Sequence, residues 1–423
     1  MKVYVFGLGH IGLPMAAWIA LNGHQVEGID IDTLAIKNII DGTVDIHENY
    51  NGSHISQILG TLIKEGRLSV STEFKRQDKE PAVFVITVGI RDRKDGSQDI
   101  SPIRNVLDTI TPKLLDGDLI LFRTTMIPGT CKQEIIPRLK TLNKKVYFAY
   151  APETISETHA FVELNRNSNI LAAIDDESYQ FASSFLRSLS SADIYQASTF
   201  TTAEMTKVVQ NIIRDVNIAL VNEVSEAASL LGVDIYELRR LVNTHPRVEL
   251  LLPGPGVGGY CLPNAFKYLK GAFSEKETVS LLLMQTARQL NDQRPSKVVA
   301  IIKDALKEAG KDIQRTTIAI IGLAMKDYCA DCRHSPALKI GSLLMKEGAS
   351  IRGYDRLVPM TYPFQVSSLK ECIDHADCMV ITAIQEGIVY DPEMIIQSMK
   401  KPPIVVDTKN TFPVHSGVKL YRI

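Results

Sequence analysis

The chain opens with a segment whose glycine spacing leaves few choices of fold. A short apolar run, residues 2–6, leads directly into the pattern GxGxxG at residues 7–12, and a helical pattern follows over residues 13–22. A second β-rich run then ends at Asp30. Glycines at this spacing let a strand turn sharply into a helix that packs tightly against it. The segment therefore predicts a β–α–β unit of a parallel sheet.

Strand-like runs separated by helical stretches continue through the first half of the chain. These runs cover residues 82–88, 119–122, 146–150 and 169–174. Strands that alternate with helices are typical of a parallel sheet with crossover connections. The first half therefore predicts one extended α/β domain.

The middle of the chain has a different pattern. Residues 201–242 place apolar side chains at helical spacing over an unusually long stretch, which Gly232 is suited to end. We interpret this stretch as a connecting helix and a candidate dimer surface. Residues 291–317 predict a further helix followed by a polar linker.

The last third of the chain repeats the opening theme. Residues 317–326 form a strand that runs into a glycine turn, and a second strand, residues 350–355, ends in Asp355. Two more strand-like runs cover residues 378–383 and 404–408. We therefore predict an α/β fold: two Rossmann-like parallel-sheet domains joined by a central helical domain with a long connecting helix. The expected boundaries are 1–198, 199–300 and 301–423.

Composition limits the classes of partner. The 47 basic and 48 acidic side chains are in mixed order along the 423 residues, so no large field of one sign is available to attract nucleic acid or an anionic membrane. No stretch reaches the ~18 uninterrupted apolar residues of a membrane span. Glycines and Pro14 interrupt the apolar N-terminus, unlike a signal peptide. A soluble cytoplasmic protein with a small-molecule partner is expected.

Six cysteines are scattered along the chain and suit a reducing compartment better than a disulfide framework. Cys329 and Cys332 form a CxxC, and with Cys372 and Cys378 they could offer zinc four thiolates. The spacing of the second pair is poor for zinc, so no metal site is expected.

The end of the second strand predicts the cofactor. A helix N-terminus after a glycine turn favours a pyrophosphate. The Asp30 carboxylate would accept hydrogen bonds from ribose hydroxyls and repel a 2′-phosphate. We therefore expect NAD rather than NADP.

A loop at residues 253–263, PGPGVGGYCLP, surrounds one thiol, Cys261, with glycines and prolines. Such a loop brings backbone close to a ligand and holds a side chain at a fixed point. A thiol that attacks an aldehyde gives a thiohemiacetal, which can lose a hydride to become a thioester. The same sequence is also compatible with a buried structural cysteine in a tight turn.

Lys207 and Asn211 lie four residues apart and so share one face of the long helix. A solvated face is one interpretation. An outward-looking functional pair is the other, because the opposite stripe is apolar.

Together these segments resemble the UDP-glucose and GDP-mannose dehydrogenase family, from Met1 to about Asn410. The opening GLGHIGLP is shared, and VVDTKN, with Asp407 and Asn410, fits the family's final strand. Between them, in family order, lie RTTMIPGT (123–130), APETISE (151–157), AEMTKVVQN (203–211), GPGVGGYC (254–261) and GLAMKDYCADCRHSPAL (322–338).

The resemblance implies a reaction and its residues. Members oxidise the C6 alcohol of a nucleotide-sugar, most often a UDP-sugar, to a carboxylate, using NAD and a cysteine thioester. The implied catalytic residues are Cys261, Lys207, Asn211, Glu153 and Thr125. The implied cofactor contacts are Gly7, Gly9, His10, Ile11, Gly12, Asp30, Val88, Thr125, Glu157 and Arg333. The implied substrate contacts are Glu153, Lys207, Asn211, Arg247, Gly258, Lys326 and Asp331.

The resemblance also implies an assembly. Members bind NAD in the first domain and the nucleotide in the last, and they form homodimers through the central helix. Arg247 corresponds to a residue that commonly reaches the partner subunit's substrate.

Three departures from the family pattern lie close to the implied active residues. Asn264 and Ala265 follow the cysteine where the family has Lys-Asp. Val88-Gly-Ile-Arg replaces Val-x-Thr-Pro, and Ser156 and Thr158 replace an arginine and a glycine. Two other functions therefore stay open: a dehydrogenase that acts on a modified sugar or stops after two electrons, and a non-catalytic nucleotide-sugar-binding protein.

Overall fold

The computed structural model describes residues 1–93, 97–273 and 279–423. The described chain divides into two compact units. The first contains Met1–Gln210 and the residues from Lys267 to Phe273, and the second contains Asn211–Phe266 and Val279–Ile423. Within the described ranges, no helix combines the length and apolar character needed to cross a membrane.

The first unit is built on an eight-stranded sheet with the order β12-β11-β10-β9-β6-β1-β2-β5. Its strands are β1 (Lys2–Phe6), β2 (Gln25–Ile29), β5 (Leu68–Ser71), β6 (Val83–Ile86), β9 (Leu119–Phe122), β10 (Tyr147–Tyr150), β11 (Asn169–Ala173) and β12 (Ile194–Gln196). All neighbouring strands are parallel except β10 and β11, which run antiparallel. Two short ribbons pair β3 (Asn49–Tyr50) with β4 (Ser53–His54) and β7 (Arg91–Asp92) with β8 (Gln98–Asp99).

Within the described part of this unit, seven α-helices accompany the sheet. They are α1 (Gly12–Leu21), α2 (Thr33–Asp41), α3 (Ile55–Lys64), α4 (Ser101–Ile110), α5 (Ile136–Lys140), α6 (Ala160–Arg166) and α7 (Asp176–Arg187). Residues of β6 and β9 are buried throughout, and so is α1 from Gly12 to Ala20. Strands covered on both faces explain the continuous apolar runs of the sequence.

Among the described residues, the middle of the chain contains four α-helices: α8 (Phe200–Leu230), α9 (Ile235–Val242), α10 (Cys261–Gly271) and α11 (Leu282–Glu308). The predicted stretch 201–242 is thus two helices, α8 and α9. Gly232 lies between them with a left-handed φ of 70°, which suits glycine and explains the break. The predicted helix at 291–317 begins earlier and ends at Glu308, before Gly310.

The second unit contains a five-stranded sheet with the order β14-β13-β15-β16-β17, parallel throughout. Its strands are β13 (Thr317–Ile321), β14 (Ser350–Tyr354), β15 (Cys378–Ile381), β16 (Ile404–Asp407) and β17 (Lys419–Arg422). Three helices, α12 (Pro336–Lys346), α13 (Leu369–Ile373) and α14 (Pro392–Ser398), connect them.

The two sheets contain the same local design. In the first, Thr87 follows β6 and its hydroxyl donates to the carbonyls of Phe6 and Gly7. In the second, Thr382 follows β15 and its hydroxyl donates to the carbonyls of Ile321 and Gly322. The α/β fold with two Rossmann-like sheets and a long helix is therefore confirmed, with more strands at the sheet edges than the sequence predicted.

Candidate functional site

The glycine turn after β1 is shaped by close backbone packing. Gly7 has a φ of 93°, a conformation that glycine adopts without strain. A Cβ on Gly12 would lie 1.8 Å from the Gly7 carbonyl oxygen, so only glycine fits there. A Cβ on Gly9 would meet nothing within 4 Å, which leaves open space beside the turn. The first turn of α1 leaves backbone N–H groups free for an anion at this place.

The Asp30 side chain follows β2 and is more accessible than that of Asp355, which follows β14 in the second unit. Its carboxylate accepts from Leu8 N at 2.6 Å and Asp32 N at 3.0 Å, and the side chain is half-buried. Further lone pairs of a carboxylate remain for ribose hydroxyls. The residues of the first turn therefore fit a dinucleotide.

Asp355 lies at the same point after β14, and its carboxylate accepts more backbone hydrogen bonds than that of Asp30. Among the described residues it accepts from Leu323, Ala324, Leu357 and Val358 backbone N–H groups at 2.7–3.2 Å. It is 6% exposed, and Ala324 stands where the first turn has Gly9. The second turn thus lacks both the open glycine and the accessible carboxylate.

Two predicted cofactor contacts meet in the first unit. His10 Nδ1 lies 3.4 Å from Glu157 Oε1. A Cβ on Gly7 would lie 3.1 Å from Val88 Cγ1, and the Val88 carbonyl accepts from the Thr124 hydroxyl at 2.6 Å. Val88 therefore joins the glycine turn to the segment that contains Thr125.

Glu153 is held on both of its oxygens. One pairs with Arg123, and the other accepts from Thr154 N at 2.7 Å and Ile155 N at 3.2 Å. Arg123 also donates to Asn169 Oδ1 at 2.8 Å, and both members of the ion pair are over nine-tenths buried. These contacts fix the position of the Glu153 carboxylate.

The segment after Thr125 is tied to α8 by Glu204. This fully buried carboxylate accepts from Gly129 N at 2.6 Å and Cys131 N at 2.7 Å. Burial raises the pKa of Glu204, and it raises the pKa of the Cys131 thiol well above its usual value. Cys131 is thus a structural thiol.

The Lys207–Asn211 pair does not form a solvated face of α8. Asn211 is only 5% exposed, and Lys207 is half-buried. Buried polar side chains on a long helix are held there for a polar partner. The solvated-face interpretation is therefore wrong for Asn211.

Cys261 is exposed and is the first residue of α10. The buried-cysteine alternative is thereby excluded for this thiol. Helix N-termini leave backbone N–H groups free and favour negative charge. Asn264 and Ala265, in the following turn of α10, are each 1% exposed.

The loop before Cys261 is packed against the segment after β13. The Gly259 N–H donates to the Arg333 carbonyl at 2.8 Å. A Cβ on Gly258 would lie 2.8 Å from the His334 carbonyl oxygen and from Met325 Cβ. Gly258 therefore has a packing reason to be glycine, and its predicted substrate contact stays a prediction.

The remaining predicted substrate residues lie in two places. Asp331 and the half-buried Lys326 lie in one segment, where Arg333, a predicted cofactor contact, pairs with Asp331 at 2.6 Å and keeps its side chain 49% exposed. Arg247 lies in the exposed stretch 244–249 after α9. Across residues 1–93, 97–273 and 279–423, no group of three His, Cys, Asp or Glu side chains is arranged to hold a metal ion.

Several buried side chains escaped prediction. Arg123, Glu204, Asn222 and Arg294 each hold backbone or a predicted site residue in place. The sequence feature that could have identified them is a charged or amide residue inside an otherwise apolar stretch.

An open glycine turn, an accessible carboxylate after β2 and a Rossmann-like sheet define a dinucleotide-binding protein. The NAD binding domain of the UDP-glucose/GDP-mannose dehydrogenase family matches residues 1–190, its central domain residues 201–293 and its UDP binding domain residues 319–413. The chain belongs to this family. NAD is its cofactor.

Individual relatives cover nearly the whole chain. The UDP-N-acetyl-D-mannosamine dehydrogenase of Methanocaldococcus jannaschii is 34% identical over 415 residues, covering 97% of this chain and 92% of its own. A solved UDP-D-ManNAc dehydrogenase from Pyrococcus horikoshii has a TM-score of 0.89 at 31% identity and covers 100% of this chain and 99% of its own. The Staphylococcus aureus UDP-N-acetyl-mannosamine dehydrogenase has a TM-score of 0.85 at 28% identity, with coverages of 100% and 98%.

Proposed function

We propose that the chain oxidises the C6 alcohol of UDP-N-acetylmannosamine to the carboxylate through a thioester on Cys261. The observation that carries this proposal is the exposed thiol at the start of α10, directly after a loop whose glycines are fixed by packing. The relatives named above supply the sugar, because all three are dehydrogenases of that substrate by name.

The chain's own residues then take separate roles. Lys207 and Asn211 stabilise the oxyanion that develops at C6. The Cys261 sulfur adds to the aldehyde carbon as the carbonyl π bond opens and the thiol's proton passes to the oxygen, and the resulting thiohemiacetal keeps the aldehyde bound between the two oxidations. Glu153, which is paired with Arg123, handles protons and the hydrolytic water together with Thr125. NAD, when bound, accepts a hydride in each oxidation.

Further parts of the proposal concern organisation. We take the domain division as 1–198, 199–300 and 301–423, with the nucleotide-sugar held by Lys326 and Asp331 in the last domain and Arg333 contacting the cofactor. A homodimer through α8 is supported by its exposed apolar side chains Met205, Ile213 and Leu220. The cytoplasmic location stays a prediction.

A single oxidation is the second candidate. It is favoured by the turn after Cys261, where the buried Ala265 stands at the position of the family's aspartate, so the residues around the thiol depart from those of the two-oxidation enzymes.

The covalent step is tested with Cys261→Ser. A hydroxyl is a far weaker nucleophile than a thiolate, so the variant should bind NAD and UDP-sugar but form no carboxylate product. Product mass spectrometry over a panel of UDP- and GDP-sugars measures this. A serine variant that makes the uronic acid at near the wild-type rate would show that Cys261 is not the nucleophile.

A further inference from the structure

A set of contacts in the second unit fixes the chain seven residues before Cys261. The Gly254 N–H donates to Asn222 Oδ1 at 3.0 Å, and its carbonyl accepts from Arg294 Nε at 3.0 Å. Asn222, on α8, is 5% exposed, and Arg294, on α11, is 2% exposed. Both backbone polar groups of Gly254 are therefore bound by buried side chains.

The guanidinium of Arg294 is itself held in one orientation. Its NH1 donates to Glu226 Oε1 at 2.7 Å. Lys297 Nζ lies 2.8 Å from both oxygens of Glu226 and fixes that carboxylate in turn. Because the donors of arginine form a rigid fork, an ion pair at NH1 also sets the direction of Nε.

The loop between Gly254 and Cys261 needs such restraint. Gly256 and Gly259 have positive φ values of 143° and 78°. Glycine adopts such values without strain, but it loses more conformational entropy on folding than any other residue. The far end is held by the Gly259–Arg333 hydrogen bond, and a Cβ on Gly256 would lie 3.2 Å from Pro295 and Pro336. The near end has Gly254 as its anchor.

We propose that Asn222, Glu226 and Arg294 form a clamp on Gly254 that positions the Cys261 thiol for attack on the sugar aldehyde. The proposal rests on the proposed function of Cys261. The three side chains are positioning residues, because they act through the backbone of the loop. A misplacement of ~1 Å in a reacting group lowers a rate ~10²-fold, so loosening this anchor has a large effect on catalysis.

The test uses Arg294→Lys in the full chain. Lysine keeps a positive charge opposite Glu226 but lacks the Nε–H that bonds Gly254. Arg288→Lys is the matched control, since Arg288 is also buried on α11 and pairs with Asp215 on α8 at 2.6 Å. Asn222→Ala, which removes the acceptor of the Gly254 N–H, is an independent second variant.

Two readouts separate the clamp from general helix packing. Hydrogen–deuterium exchange of the backbone amides at residues 254–261, without substrate, should be ~10-fold faster or more in Arg294→Lys and in Asn222→Ala, and unchanged in Arg288→Lys. The kcat should fall ~10- to 100-fold in the first two variants while KM stays within ~3-fold.

The proposal is overturned if loop exchange is unchanged in Arg294→Lys and Asn222→Ala, if Arg288→Lys accelerates it equally, or if faster exchange leaves kcat unchanged. A wild-type chain that produces no NADH from any nucleotide-sugar rejects the proposed function instead, and the exchange pattern still reports whether the clamp holds the loop.

Discussion

Thr158 has a backbone conformation that its side chain disfavours. Its φ is 76°, in the left-handed region, where the family has glycine and where a β-branched residue is strained. Buried Glu48 holds the strain in place, because its carboxylate accepts from Thr158 N at 2.6 Å and Ala160 N at 2.9 Å. The strained position lies directly after Glu157.

Thr158→Gly should therefore stabilise the protein. Removing the strain contributes ~1 to 3 kcal/mol, and the added freedom of the unfolded chain offsets part of it, so a net gain of about 1 kcal/mol is expected. Thermal unfolding of the two proteins measures the difference. Asn51→Gly is the control: its φ is 49°, asparagine tolerates that region, and its change should stay within ~0.5 kcal/mol. A destabilised Thr158→Gly variant would contradict this account of the strain.

Among the secondary-structure elements, α8 is connected to the segment after Thr125 by Glu204. The stability of this connection depends on pH. Burial, acting against its two backbone hydrogen bonds, raises the pKa of Glu204 above the usual 4.5. The folded state therefore binds the proton more tightly than the unfolded state. The stability that the folded state gains from binding this proton more tightly is fully present below pH ~4.5. It is lost as the pH rises through the folded pKa of Glu204.

Glu204→Gln removes the ionisation and leaves one backbone N–H opposite an amide nitrogen. The variant should be less stable than wild type at pH ~4.5, and the difference should shrink as the pH rises, because only wild type pays the cost of a buried charge. Urea unfolding of both proteins at several pH values tests this. Glu65→Gln, at an exposed carboxylate, controls for the loss of a negative charge. A difference that stays constant or grows with pH would contradict the prediction.

Elements with a strong local pattern were predictable. The apolar run 119–122 coincides with β9, and the helical period found α8 almost to its first residue. The antiparallel direction of β11 was not predictable, because strand direction depends on partners and not on alternation. Arg294 resembles any polar residue of a helix in sequence, and only its bond to Gly254, forty residues away, shows its role.

At the scale of the whole molecule, the sequence predicted two similar strand–glycine–strand units but not their difference. In the sequence, Asp30 and Asp355 each stand at the end of the second strand of their unit. The structure leaves Asp30 half-buried with two backbone donors and encloses Asp355 with four among the described residues. This difference explains in physical terms why the first unit suits the dinucleotide, and it arises from backbone paths that no short motif encodes.

The proposed function requires one chain to complete two oxidations of a UDP-sugar at C6. The most direct measurement is the amount of NADH formed when limiting UDP-N-acetylmannosamine is consumed by wild-type protein in excess NAD, with mass spectrometry of the product. We predict two NADH per sugar and a uronic acid. One NADH per sugar with an aldehyde product would contradict the thioester route, and none with any UDP- or GDP-sugar would contradict catalysis altogether.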